Sequence, residues 1–244
     1  HRLFTHQSFK AARWLRITLA IAGSMALEGR LFDWCTQHQN HHDTSDTPED
    51  LHSPHHQGKG FWGIIRGLIH AQVGWIFSFT PPTEEECRKQ IPHLLQDEAL
   101  VFVNKHFSWW VIVSLALPTL LGALLDDSFG KGALLGFLWG GAVRIFFVHH
   151  VTWSINSVCH LWGRREYETG DWSADNFVCG LVGLGEGFHN SHHKFRYSAR
   201  HGLRWWQIDA SYLLIKLLEK AGAVTRVLVP KDSEIEKERA KTNR

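Results

Sequence analysis

The chain is predicted to be all-α, an integral membrane helical protein in which a transmembrane hairpin carries a cytoplasmic, histidine-rich helical cap. Three observations predict this class. Phe107 to Leu125 runs for 19 residues without a charge, close to the roughly 20 residues that cross a bilayer core. A second apolar stretch, Gly132 to Val148, follows across a short polar turn. Histidine clusters at helical spacing stand on both sides of that pair.

The composition of the 244 residues narrows the function classes. A net charge of +2 with 18 neutral histidines predicts no nucleic-acid partner. The four cysteines, Cys35, Cys87, Cys159 and Cys179, form no CxxC pair, so a zinc knuckle or haem attachment is not expected, and reduced thiols are the simplest account. Twelve tryptophans and 15 phenylalanines suit a membrane interface. The mean hydropathy of −0.19 averages polar histidine segments with apolar ones.

Taken in order, Ile17 to Leu27 is apolar but too short to span, so it reads as an interfacial or buried helix. Residues 43–60 are rich in turn formers and acids and read as a polar loop. Its His52, His55 and His56 are weak ligand candidates because Pro54 breaks helical spacing. Trp62 to Phe79 suits a helix lying in the interface, ending at Pro81-Pro82. Glu84 to Glu86 read as a solvated first helical turn. Phe107–Leu125 tolerates Pro118, and Asp126 to Lys131 forms the hairpin turn. A helical hairpin buried in a soluble core is the competing account of this pair. Residues 149, 153, 156 and 160 then share a helical stripe, so Asn156 and His160 face alike, with His149 expected as a donor behind the ligands or an interfacial residue. The charged tail, residues 229–244, is expected to fray and to lie outside a domain of residues 1–228.

A hairpin returns the chain to its starting side, so all the histidine clusters share one face of the membrane. Lys105, Arg144, Arg164 and Arg165 on that side, against Asp126 and Asp127 with Lys131 on the other, put the clusters in the cytoplasm.

The clusters are His1 and His6 in HRLFTH, His38, His41 and His42 in HQNHH, and His189, His192 and His193 in HNSHH. Helix positions three and four apart share a face. Each HxxHH therefore aims two or three imidazoles at one point, and neutral imidazole binds zinc, copper, iron and nickel. Eight such histidines exceed the needs of one tetrahedral ion, which predicts two metals. A metal-storage or transport protein would instead carry ligands along a transmembrane path.

These residues resemble the membrane fatty acyl desaturases of the stearoyl-CoA Δ9 type. HRLFTH is similar to that family's HRLxxH box, and DWCTQHQNHHDTSDTPEDLHSP to its second box and acidic loop. TWSINSVCHLWG and GEGFHNSHHKFRYSARHGLRWWQID are similar to its last two motif stretches. The resemblance implies two iron ions held by His1, His6, His38, His41, His42, His160, His189, His192 and His193, with Asn156 acting through a water. It places Trp34, Thr152 and Trp153 along the acyl tunnel, and Glu186 is a candidate acceptor that orients a ligand. It implies two further spans ahead of HRLFTH, four in all.

The implied reaction is oxygen-dependent insertion of a cis double bond, at Δ9, into a saturated acyl chain. A related HxxHH di-iron hydroxylase of lipids or alkanes is the alternative. Side-chain acid–base chemistry does not reach an unactivated methylene, so the oxidant must come from O2 at the metals. Each turnover needs electrons from an external donor that is cytochrome-b5-like, a ferredoxin or a rubredoxin. Thr36, Gln37, Gln39 and Asn40 stand where many relatives carry arginine near the second box. The carrier is therefore open between acyl-CoA, acyl carrier protein and a lipid-linked chain, with Lys194, Arg196, Arg200 and Arg204 as candidates for a headgroup contact.

Overall fold

A computed structural model describes residues 1–242. The helices are α1 (Arg13–Ser24), α2 (Leu31–Thr44), α3 (Gly60–Gln72), α4 (Glu84–Gln90), α5 (Pro92–Leu95), α6 (Glu98–Lys105) and α7 (Phe107–Leu125). They continue as α8 (Phe129–Leu135), a π-helical stretch (Gly136–Val143), α9 (Arg144–Ser157), α10 (Phe177–Val182), α11 (His189–Lys194), α12 (Ala210–Lys220) and α13 (Asp232–Thr242). The chain is mostly helical, with one small addition. Strands β1 (Lys10–Ala11) and β2 (Val224–Thr225) pair antiparallel, Lys10 opposite Thr225 and Ala11 opposite Val224. The chain divides into two compact units, and the division falls within α2 and α9.

One unit comprises residues 13–36 and 82–150. Its α7 and the continuous helix Phe129–Ser157 are both long and apolar enough to cross a membrane. Only 11% of either apolar window is buried within the protein. A helix in the core of a soluble protein is mostly buried, whereas here Leu125 is 84% exposed and Trp139 67%. The two helices pack antiparallel on small residues. A Cβ at Gly132 would overlap the Gly122 carbonyl, one at Gly136 the Pro118 carbonyl, and one at Gly140 the Pro118 ring. Glycines four apart thus let the backbones touch. Pro118 sits inside α7, where Thr119 Oγ donates to the Leu115 carbonyl at 2.7 Å. Arg144, the charge within the second apolar stretch, is spent locally: it donates to Gly140 O (2.8 Å), Met25 O (3.2 Å) and Ser114 Oγ (2.6 Å). These three bonds satisfy a guanidinium that an apolar setting would leave costly. His149 Nε2 donates to the Ala26 carbonyl at 3.0 Å. The three glutamates open α4, where Thr83 and Glu86 form a capping box.

The other unit comprises residues 1–12, 37–81 and 151–244. It ties the chain's start to its later segments. Ala12 N donates to Ala223 O (2.9 Å), and Leu228 N donates to Ser8 O (2.8 Å). The Trp62–Phe79 segment is not one helix. It breaks after α3 at Val73 and tightens into a 3₁₀ turn, Gly74–Ser78. The tail also differs from expectation. Instead of fraying, it forms α13, whose buried Ile235 packs with Tyr167 and Phe195. Lys194 reaches Glu238 at 2.7 Å, and Arg239 reaches Glu166 at 3.3 Å. Within α13, Glu236 pairs with Arg239 and Glu238 with Lys241.

Candidate metal centre

The nine candidate histidines fall into two groups within this second unit. His1, His6, His38, His42 and His192 bring one ring nitrogen each to within 4.8 Å of one another, and His41, His160, His189 and His193 do the same. Helix geometry decides the division. In α2 the i,i+4 pair, His38 and His42, goes to the five-membered group while His41 goes to the other. In α11 the pair His189 and His193 goes to the four-membered group, and the intervening His192 crosses over. Each HxxHH therefore serves both groups. The first box lies in turns, from which His1 and His6 reach the five-membered group. His160 follows α9 and completes the four.

The spacings fit metal ligation. Nε2–Nε2 separations are 3.0 Å for His6–His38, 3.0 Å for His38–His42, 2.9 Å for His42–His192 and 3.2 Å for His1–His192. In the other group, His160–His189 is 3.1 Å. A ring Nε2 makes one in-plane bond, as donor or acceptor. His38, His42 and His192 each have two such neighbours, so hydrogen bonding does not satisfy them all. An ion with bonds of about 2.1 Å sets ligands at right angles about 3.0 Å apart. The Nε2 atoms of His41 and His193 are buried without a hydrogen-bond partner among the described residues. An ion in each group meets all of these demands.

Carboxylates fix the far nitrogen of several rings. His41 Nδ1 donates to Asp50 (3.0 Å), His160 Nδ1 to Asp46 (2.8 Å), His193 Nδ1 to Asp171 (2.7 Å), and His1 Nδ1 lies 2.6 Å from Glu186. A proton held on Nδ1 leaves the Nε2 lone pair for a metal. Burial would raise Asp50 and Asp171, but His41 and His193 outweigh it and hold both well below the usual carboxylate range. Glu186 is likewise held low, chiefly by Arg2 and His201 against burial. Burial first, then neighbouring imidazoles, push His38, His42, His189 and His192 well below their ordinary value, keeping the rings neutral.

The loops that carry these acids are themselves tied down. Asp46 also accepts from Trp172 N (2.7 Å) and Ser53 Oγ (3.0 Å), and Asp50 accepts from Asp46 N (2.9 Å). Asp171 accepts from Ser173 N (2.9 Å) and Thr169 Oγ (2.7 Å). The residues between the α11 histidines serve as braces. Asn190 Oδ1 accepts from Glu166 N and Tyr167 N, both at 2.8 Å, and Ser191 donates twice to buried Asp175. Burial pushes the Asp175 carboxyl up to about 6.

The sequence reading pointed to Glu186 and missed Arg2, Asp46, Asp50, Asp171 and His201. Arg2 is buried and joins Glu186 (2.9 Å) to Asp209 (2.9 Å) and to the Ala199 carbonyl (2.7 Å). His201 is buried 3.2 Å from Glu186, and its ring lies 4.4 Å from that of His192, tilted by 32°. The aspartates stand at no periodic distance from their histidines, so only their density after the second box hinted at a role. His52 lies with its ring against Trp75, while His55 and His56 donate to the His160 and Asp46 carbonyls, both at 2.8 Å.

Of the remaining candidates, Asn156, Thr152 and Trp153 lie on α9, and Trp153 meets Trp75 edge-on at 6.0 Å. Trp34 lies on α2 in the other unit and donates to Glu28 at 3.1 Å. Gln37 and Gln39 donate to the Thr80 and Thr5 carbonyls. The basic residues after the third box are engaged internally: Lys194 with Glu238, Arg196 with Asp43 and the His42 carbonyl, Arg200 with the Gly202 carbonyl, and Arg204 with Glu166.

Comparison with known proteins adds a second line. The sequence profile described as fatty acid desaturase matches residues 1–227. The chain is 39% identical over 238 residues to a hex-5-enoyl-[acyl-carrier protein] acetylenase of Moorena producens, covering 97% of this chain and 73% of that one. It is 36% identical over 240 residues to a chloroplastic palmitoyl-monogalactosyldiacylglycerol delta-7 desaturase of Arabidopsis thaliana, covering 98% and 59%. It is also 36% identical over 227 residues to an sn-1 stearoyl-lipid 9-desaturase of Anabaena variabilis, covering 93% and 76%.

Proposed function

The chain belongs to the fatty acid desaturase family, a family of oxidoreductases, and from that premise we propose that it inserts a cis double bond at Δ9 of a saturated acyl chain with two iron ions and O2. One observation carries this reading: nine buried or half-buried histidines divide into two groups, each converging on a point, and carboxylates hold the far nitrogens of His1, His41, His160 and His193. Five histidines hold one ion and four hold the other, with Asn156 behind a water in the four-membered group. When bound, the iron pair supplies the oxygen activation that removes hydrogen from an unactivated methylene.

The chain's own residues hold and orient. Asp46, Asp50, Asp171 and Glu186 lock the ring tautomers. Thr152 and Trp153 line the path of the acyl chain, and Trp75 backs Trp153. The exposed apolar helices lie in a membrane, and the Lys/Arg bias sets the histidine groups on its cytoplasmic side. Electrons come from an external cytochrome-b5-like, ferredoxin or rubredoxin donor.

A lipid-linked or acyl-carrier-protein substrate fits better than acyl-CoA. The glutamines beside the second box turn to backbone carbonyls, and the basic residues after the third box are paired internally. The names of the relatives include acyl carrier protein, lipid-linked and acyl-CoA substrates alike, so the preference rests on these side chains alone. The test is expression of the full-length gene in a desaturase-deficient host, with analysis of fatty acids and of lipid classes. A new Δ9 alkene supports the proposal. A hydroxylated chain, or an unchanged profile from protein loaded with iron, overturns it.

A further inference from the structure

We infer that the two histidine groups are unequal metal sites, the four-histidine group taking the first divalent cation and the five-histidine group the second. This rests on the two-metal reading above and adds an order to it.

The difference lies behind the ligands. In the four-histidine group, Asp50, Asp46 and Asp171 each accept from a ligand's Nδ1, at 3.0, 2.8 and 2.7 Å. Their side chains are almost fully buried, at 0, 3 and 6% exposure. Three carboxylates behind three rings make those rings more basic and place unscreened negative charge beside the ion. In the five-histidine group, Glu186 does the same for His1, but its other oxygen is paired with Arg2 at 2.9 Å and it is shared with His201. Much of its charge is thereby offset. The Nδ1 atoms of His42 and His192 have no hydrogen-bond partner among the described residues; in the four-histidine group the same holds for His189 alone, the ring without a carboxylate. The fifth ring adds a neutral ligand; it adds no charge.

Preorganisation points the same way. The four-histidine group draws His41 from α2 and His189 and His193 from α11, with His160 braced by Asp46. The five-histidine group needs His1 and His6 from a turn segment. It also needs His38, His42 and His192, which share helices with the first group's ligands. An ion in the four-histidine group fixes both helices and presents these three rings to the second ion.

Cobalt(II) titration of metal-stripped, detergent-solubilised full-length protein, followed by calorimetry and by the cobalt visible spectrum, tests this. Two steps are expected, the first at least about tenfold tighter, since one partner behind a ligand accounts for about 10–100-fold in affinity. His6→Ala should keep the tight step and lose the weak one, and His193→Ala should lose the tight step. Asp171→Asn should weaken the tight step by about 10–100-fold; Asp50→Asn makes the same measurement if that variant does not fold. Two equal steps, or a tight step that survives His193→Ala and not His6→Ala, overturn the order while leaving two metals in place. Failure to bind a second ion overturns the two-metal reading itself.

Discussion

At the scale of single residues, histidines spaced three and four apart converge in space, and the acids behind them follow no such spacing. HxxHH announces itself because helical spacing and ligand chemistry coincide in five positions. Asp46, Asp50 and Asp171 act across loops, where no period links them to His160, His41 and His193. Asp46→Ala should therefore cost more than a surface change. It strands His160 Nδ1 and Ser53 Oγ, both on buried residues, at about 1–3 kcal/mol each, while the exposed Trp172 N can turn to water. A lower melting temperature and reduced retained iron are expected, while Glu85→Ala on the exposed start of α4 should change neither. Acid sensitivity follows from the buried rings. Burial lowers His193 to about 4 and His52 to about 3, against about 6.5 in the unfolded chain. The unfolded state takes up protons first, so this contribution is complete above pH 6.5 and shrinks as pH falls toward 4. Each such histidine removes up to about 1.4 kcal/mol per pH unit in that window. Metal-free protein should melt at a lower temperature at pH 5.5 than at pH 7.5; an equal or higher value at pH 5.5 would count against neutral buried rings.

At the scale of elements, hydrophobic length located α7 to the residue and placed its partner a few residues short. The second helix begins at Phe129 and runs on to Ser157, because Phe129 to Lys131 continue the helical backbone despite reading as a turn. What holds the pair was not read from the sequence, since small residues four apart carry no hydrophobic signal. Gly136→Leu should disrupt it, because a side chain there meets the Pro118 carbonyl. Loss of the monodisperse peak in gel filtration of detergent-extracted protein is expected. Gly130→Ala, whose added carbon meets nothing within 4 Å, should behave as the parent. The tail is the clearest failure of composition. Charge density suggested solvent, yet Ile235, Lys194–Glu238 and Glu166–Arg239 fasten α13. Ile235→Ala should cost about 2–5 kcal/mol, measured as a fall in melting temperature, and hasten proteolysis after residue 229.

At the scale of the whole molecule, the distribution of apolar surface and of histidines states what surroundings the chain requires. One unit exposes apolar helices, and the other gathers the imidazoles. If the hairpin spans the bilayer with its turn on the far side, Ser128→Cys should react with an impermeant thiol reagent only from the non-cytoplasmic face of sealed vesicles. Labelling from the cytoplasmic face would reverse the topology. The alternation of rings along α2 and α11 carries a last consequence. Because His41 leaves its neighbours for the other group and His192 returns the exchange, the interval between the two points of convergence is ruled off by covalent backbone. A turn of helix is a gauge that no side-chain rotation resets. Within each of these two helices, the offset between a ring given to one group and a ring given to the other is therefore a set fraction of a turn.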